Sequence, residues 1–171
     1  NYYKGFRSDK FEESGERANK LHLPLISLKD QDSILDDLLA DCPAQYAKES
    51  GTPMSKWVNV KTKLRDLDTR RIHYVKVPEN HIVIDFDMVG PGGEKDFQKN
   101  LEEASKWPPT YTEVSKSGKG IHLHYIYAGD PSKLSCVYDD RIEVKVFTGN
   151  GSLRRRRTLC ANLPLATLSH G

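Results

Sequence analysis

Residues 81–86 read His-Ile-Val-Ile-Asp-Phe, with Asp87 immediately after. A β-branched apolar run of this kind sits at the centre of a sheet, covered on both faces. Because side chains alternate along a strand, Asp85 and Asp87 fall on one face and converge on one volume. The chain therefore folds around a central strand that carries charge at its end. Two carboxylates so placed repel each other unless a cation lies between them, and hard oxygen donors select Mg2+ or Mn2+. The plainer alternative makes Asp87 a residue of the following loop and pairs Asp85 with a base elsewhere.

On either side of this strand, helical and strand periods alternate. Ser27–Leu39 is predicted helical, capped by Ser27, with Ile34, Leu35, Leu38 and Leu39 as its apolar stripe and Pro43 beyond its end. Gly51-Thr52-Pro53 reads as a loop, and Trp57–Lys61 and Arg71–Val77 as short alternating strands. After the Gly90–Gly93 loop, Phe97, Leu101 and Ala104 mark an amphipathic helix over Glu94–Trp107, stopped by Pro108-Pro109. Tyr111–Val114 and Ile121–Tyr127 flank a glycine turn, and Arg141–Phe147 is a further strand. This order predicts an α+β domain with a mostly antiparallel sheet.

At 171 residues the chain supports one buried core and not two ordinary domains. Its apolar runs are too short to span a membrane, and Asn1–Arg7 shows no leader pattern. Both ends read as cuts, so a domain of a longer protein is expected. Cys42, Cys136 and Cys160 are odd in number and widely spaced, which fits neither a disulfide framework nor a zinc knuckle and points to a reducing cytoplasm.

Two further segments carry chemistry. In Ser117-Gly118-Lys119-Gly120-Ile121-His122-Leu123-His124, the glycines let backbone N–H groups approach an anion. Ser117, Lys119, Gly120 and His122 then form a phosphate cradle, or else the segment is a hairpin with two structural histidines. In Ile142-Glu143-Val144-Lys145, Glu143 and Lys145 share a face, either as a surface pair or as a third metal ligand beside a phosphate-facing ammonium. The net charge is only +2, but Arg154, Arg155, Arg156 and Arg157 are consecutive, and such a run follows a phosphate backbone or is simply solvated. Together these parts supply what two-metal phosphoryl transfer requires.

In order and spacing, VIDFD, SGKGIHLHY and IEVK resemble the three motifs of the archaeo-eukaryotic primases, above all the primase-polymerases of phages and plasmids. The resemblance covers about Pro78–Leu168, with residues 1–77 as an N-terminal αβ lead-in to the motif-bearing core. It implies an RRM-like, mostly antiparallel sheet with flanking helices. It also implies a template-directed nucleotidyl transferase, a DNA primase or DNA polymerase, acting in a bacterial host's cytoplasm. By the resemblance, Asp85, Asp87 and Glu143 hold two catalytic Mg2+ or Mn2+ ions, with Glu143 where Asp is frequent. His122 holds the phosphates of the incoming nucleotide, and Gly120 takes the small-residue position. The implied partners are nucleoside triphosphates, single-stranded or primer-template DNA, and a helicase domain or subunit. Where many relatives run from a basic residue straight into a glycine turn, this chain inserts Val146-Phe147-Thr148 after Lys145.

Three rivals use the same residues differently. Asp85 with Glu143-Val144-Lys145 fits a metal-dependent nuclease, leaving Asp87 and the hairpin without a role. His122-Leu123-His124 fits the metal motif of rolling-circle nickases, with Tyr138 as the nearest nucleophile. A binding module would use the sheet face and the arginine run, with the acids structural.

Overall fold

The computed structural model describes residues 24–169. The first part of the expected lead-in and the Asn1–Arg7 stretch lie outside the described residues. Among those described, two α-helices and ten strands form in the order α1 (Ile34–Leu38), β1 (Ala44–Tyr46), β2 (His73–Val75), β3 (His81–Phe86), α2 (Phe97–Ala104), β4 (Thr112–Val114), β5 (Ile121–Tyr127), β6 (Val137–Asp139), β7 (Ile142–Val146), β8 (Leu153–Arg155), β9 (Cys160–Ala161) and β10 (Ala166–Leu168). The chain is α+β with mostly antiparallel sheets.

The larger sheet runs β6-β7-β3-β5-β4-β9, all antiparallel, and β10 adds in parallel beside Tyr125–Tyr127. The HIVIDF strand is central, bonded to β5 on one side and β7 on the other. A smaller antiparallel sheet, β1-β2-β8, takes two strands from the N-terminal half and one from the C-terminal half. The lead-in and the motif-bearing core are thus joined by a shared sheet.

The larger sheet has two unlike faces. One carries Ile82, Ile84, Phe86, Ile121, Leu123, Tyr125, Ile142 and Val144, buried against Leu101, Ala104 and Trp107 from α2 and the residues after it. Each such side chain removed from water contributes about 1.5–3 kcal/mol, which fixes the strand register. On the other face Val83 packs among Leu35, Val75, Phe147 and Leu153, an apolar cluster shared with the smaller sheet. Further along, toward the end of β3, that face is polar, and there the candidate site lies.

α2 is shorter than the expected 94–107 because Asp96 caps it, accepting from Lys99 N at 3.1 Å. α1 begins at Ser33 and not at Ser27. Ser33 Oγ accepts from Leu35 N at 3.1 Å, while Lys29 is held in extended pairing with Cys160 by two 3.0 Å backbone bonds. Trp57–Lys61 is not a strand, since Trp57–Asn59 forms a 3₁₀ turn. Thr62 and Lys63 instead bridge back toward β1, so the intervening residues close a loop rather than join a sheet. Among the described residues no helix is long and apolar enough to cross a membrane.

Candidate active site

Strand register brings the expected residues together. Asp85 pairs with Glu143 of β7 on one side and His122 of β5 on the other, and His122 pairs in turn with Glu113 of β4. A single row, Glu143–Asp85–His122–Glu113, therefore crosses four adjacent strands on one face. Asp85, Asp87, Glu113, Ser117, Gly120, His122, Lys145, Arg154 and Arg156 are among the residues that line a cavity of about 300 Å3 beside this row.

The carboxylates already have cationic neighbours. His122 Nε2 lies 3.1 Å from Asp85 Oδ1, and Lys145 Nζ lies 3.3 Å from Oδ2. Burial alone would raise the Asp85 carboxyl. The His122 bond and charge and the Lys145 ammonium outweigh it and hold the group below the usual carboxylate range. Asp87 pairs with Lys95 at 3.2 Å, a loop lysine the sequence reading missed. Glu143 is exposed beside Asp85. Among the described residues, no three His, Cys, Asp or Glu side chains stand close enough as placed to hold a metal ion. The donor chemistry nevertheless fits a hard divalent cation: of the three carboxylates that line the cavity Glu113 is taken by Arg155, which leaves Asp85 and Asp87, and Glu143 is the register neighbour of Asp85. A cation bound there competes with Lys145 and Lys95 for the same oxygens.

The glycine turn is built for close approach. Gly118 has φ +82°, in the left-handed region, and a Cβ at Gly120 would lie 3.2 Å from Phe86 O. Ser115 Oγ accepts from Gly120 N at 2.9 Å, and Ser115 N donates to Gly120 O at 2.9 Å. Lys119 is exposed on the turn, away from the cavity wall. Asn100 of α2 is fully buried, accepting from Met88 N at 2.7 Å and donating to Lys119 O at 2.9 Å. One amide thus ties the loop after Asp87 to the glycine turn. An Asn at a helical core position was the available signal, and the sequence reading passed over it.

The arginine run is not four equivalent cations, because strand β8 alternates. Arg154 is exposed, whereas the Arg155 side chain keeps only 2% of its surface. Arg155 Nε lies 3.2 Å from Glu113 Oε1, Nη2 binds the same carboxylate, and Nη1 donates to Asp36 Oδ1 at 2.6 Å. Tyr111 Oη adds a 2.6 Å bond to Glu113. Burial would raise the Glu113 carboxyl, but the Arg155 charge and bonds hold it well below its ordinary range. Arg156 donates to Lys116 O at 2.6 Å at the cavity rim. Arg157 turns away, bonding Gln31 O beside Asp30 and Asp32.

His124 shares a face with His122 but is fully buried. Its Nδ1 lies 2.9 Å from His81 Nε2, and its Nε2 is 3.6 Å from Glu113, too long for a hydrogen bond. Placing a proton on His81 Nε2 and another on His124 Nε2 makes the first pair a bond and turns the second N–H toward the carboxylate. Burial keeps both rings neutral: the His81 pKa falls to about 3, with the His124 ring adding to the effect, and His124 is lowered despite Glu113. Tyr138 lies on the opposite side of the sheet, 5.1 Å from the Trp107 ring. Comparison with protein-family models, with curated proteins and with solved structures returned no match in any of the three.

Proposed function

We propose that the chain is a template-directed nucleotidyl transferase, a primase-polymerase of the archaeo-eukaryotic type. The observation that carries this reading is the Glu143–Asp85–His122 row, three motif residues in register on adjacent strands, opening on a cavity walled by the glycine turn and arginines. The fold is compatible with it. β3, α2, β4, β5 and β7 follow one another in the chain while their sheet order is β7-β3-β5-β4. That is the strand order of an RRM-like sheet, with β6 and a 3₁₀ turn where a second helix would stand.

In this reading a primer 3′-hydroxyl, or the hydroxyl of an initiating nucleotide, attacks the α-phosphorus of an incoming triphosphate. The new P–O bond forms as the bond to pyrophosphate breaks, and the hydroxyl proton is lost to solvent or a carboxylate. Asp85, Asp87 and Glu143 would hold Mg2+ or Mn2+, which when bound offsets charge on the attacking and leaving oxygens. Ser117, Gly120 and His122 orient the phosphates, and Lys145 adds positive charge. Arg154 and Arg156 stand where the nucleic-acid backbone would pass, while Arg155 is committed to Glu113. The test is extension of a labelled primer-template with Mg2+ or Mn2+ and triphosphates, repeated without primer. Extension by Asp85→Ala/Asp87→Ala would refute the assignment.

One rival gains support from the same geometry. Asp85, Glu143 and Lys145 stand together as a metal-dependent nuclease would need them. Shortening of DNA without triphosphates would favour it. The nickase reading fares worse, because His124 is occupied within the core and Tyr138 lies across the sheet from His122.

A further inference from the structure

In the transferase reading the cavity beside Asp85, about 300 Å3, is sized for a nucleotide, and the template strand runs on over a further surface. The segment between β1 and β2 has the features of one. From Ser50 to Arg65 it contains no acid, and it carries Lys56, Lys61 and Lys63, all exposed. Interleaved with them are Met54, 55% exposed, partly exposed Trp57, and Val58, which at 82% exceeds the other exposed large apolar side chains among the described residues.

These side chains are held out by a built loop. Buried Gln45 grips the loop's backbone through both amide atoms, donating to Ser55 O at 2.9 Å and accepting from Ser55 N at 2.7 Å. Thr62 Oγ1 donates to Ala44 O at 2.6 Å, and Ala44 N donates to Thr62 O at 3.0 Å, closing the far end. The near end adjoins the site. Tyr74 Oη donates to Gly51 O, and a Cβ on Gly51 would lie 3.4 Å from Nη2 of Arg154, which lines the cavity. Exposed lysines interleaved with aromatic and apolar side chains on one loop are the chemistry of sequence-tolerant single-strand binding: ammonium groups track phosphates and flat side chains receive bases.

We infer that the Gly51–Lys63 loop is a binding surface for single-stranded nucleic acid, which it leads past Arg154 into the site. The inference rests on the transferase reading for the strand's role as template, but strand binding is measured without catalysis. Trp57 and Trp107 are the only two tryptophans, and Trp107 is buried, so Trp57 is a native reporter.

A labelled oligothymidylate titrated onto the full chain is expected to quench tryptophan emission, and Trp57→Phe to remove that quench. Trp57→Ala is expected to weaken binding about five-fold or more. Lys56→Ala/Lys61→Ala/Lys63→Ala is expected to weaken it further and to reduce the salt slope by about 2, at roughly 0.7 per phosphate contact. Primer extension by the wild-type chain is read in parallel. If it fails while quenching and the slope change persist, the transferase reading falls and the binding surface stands. If extension succeeds while the loop variants keep the wild-type affinity, slope and quench, the inference falls and the exposed apolar tip belongs to a protein contact. Absence of oligonucleotide binding by the wild-type chain overturns it outright.

Discussion

Arg155 and Glu113 meet between the two sheets with no more than 3% of either side chain open to solvent. The pair joins β8 of the smaller sheet to β4 of the larger, and Asp36 of α1 completes it from a third direction. Because Arg155 points inward, its neighbours Arg154 and Arg156 reach the cavity. In the proposed reading Arg155 is a positioning residue that acts through those neighbours.

Removing one member of such a pair strands a buried charge. Arg155→Ala and Glu113→Ala should each lower stability by about 3–5 kcal/mol, whereas the double replacement Arg155→Met/Glu113→Leu should cost less than either. Urea unfolding of the three variants and the parent measures this. Equal losses in all three would show that the charges contribute nothing beyond packing volume.

Much of the site was legible before the structure because strand period alone places residues on faces. His81–Phe86 and Ile121–Tyr127 form strands over the expected spans, and their pairing sets Asp85 opposite His122. Glu113 was as legible in principle, alternating with Thr112 and Val114 beside His122, but a lone acid in a short strand draws no attention without its partner. The partner sits 42 residues away in the arginine run, where adjacency suggested four cations along a phosphate backbone, or four solvated ones. Three-residue strands such as β6 and β8 carry too few side chains for a period to show. Trp57–Lys61 failed for the opposite reason, since its alternation reflects no buried face: Val58 is exposed.

Asn100 is the second residue whose role only packing reveals. Its amide satisfies Met88 N and Lys119 O at once, so Asn100→Leu leaves two backbone groups unpaired and frees the loops that bear Asp87 and Gly118. A loss of about 1–3 kcal/mol is expected, with KM for triphosphate rising more than kcat falls. Thermal unfolding and steady-state kinetics check the two halves separately.

The acid pair should respond unequally to truncation. Asp85 is largely buried and bound by His122 and Lys145, so Asp85→Ala should cost about 1–2 kcal/mol as well as activity. Asp87 is more exposed and meets the loop residue Lys95, so Asp87→Ala should lose activity with little change in stability. A repulsive pair, relieved by either substitution, would instead raise the melting temperature in both.

Acid should unfold the chain earlier than its carboxylates dictate. The folded pKa values of His81, His124 and His73 lie below the ordinary 6.5, chiefly through burial, and that of His81 is near 3. A depressed pKa means that the unfolded chain binds the proton first. Stability is therefore fully present above pH 6.5 and lost as pH falls toward the folded values, at up to about 1.4 kcal/mol per pH unit for each ring. Glu113 and Asp85, also depressed, extend the loss below the carboxylate range. Melting temperature followed from pH 8 to 4 should begin to fall near 6.5, as the order of these values requires. The onset should weaken in His81→Gln if that variant folds.

His122 and His124 separate phosphate binding from architecture, although two residues apart on one strand. His122 is partly open at the cavity and bonded to Asp85, so His122→Ala should lose most extension activity and triphosphate affinity while the fold persists. One imidazole near the turn suffices for phosphate, which makes His124→Ala the milder change for activity. Its burial against His81, Glu113 and Tyr111 reverses that ranking for stability. His124→Ala leaves a cavity and an unpaired His81 nitrogen, at a cost of about 2–4 kcal/mol. Triphosphate and Mn2+ titrations followed by thermal shift distinguish the two. His122→Ala should retain the Mn2+ shift and lose the triphosphate shift, whereas His124→Ala should start from a lower melting temperature and keep both. Equal loss of the Mn2+ shift in both variants, with triphosphate without effect on the parent, would instead make the two histidines joint metal ligands.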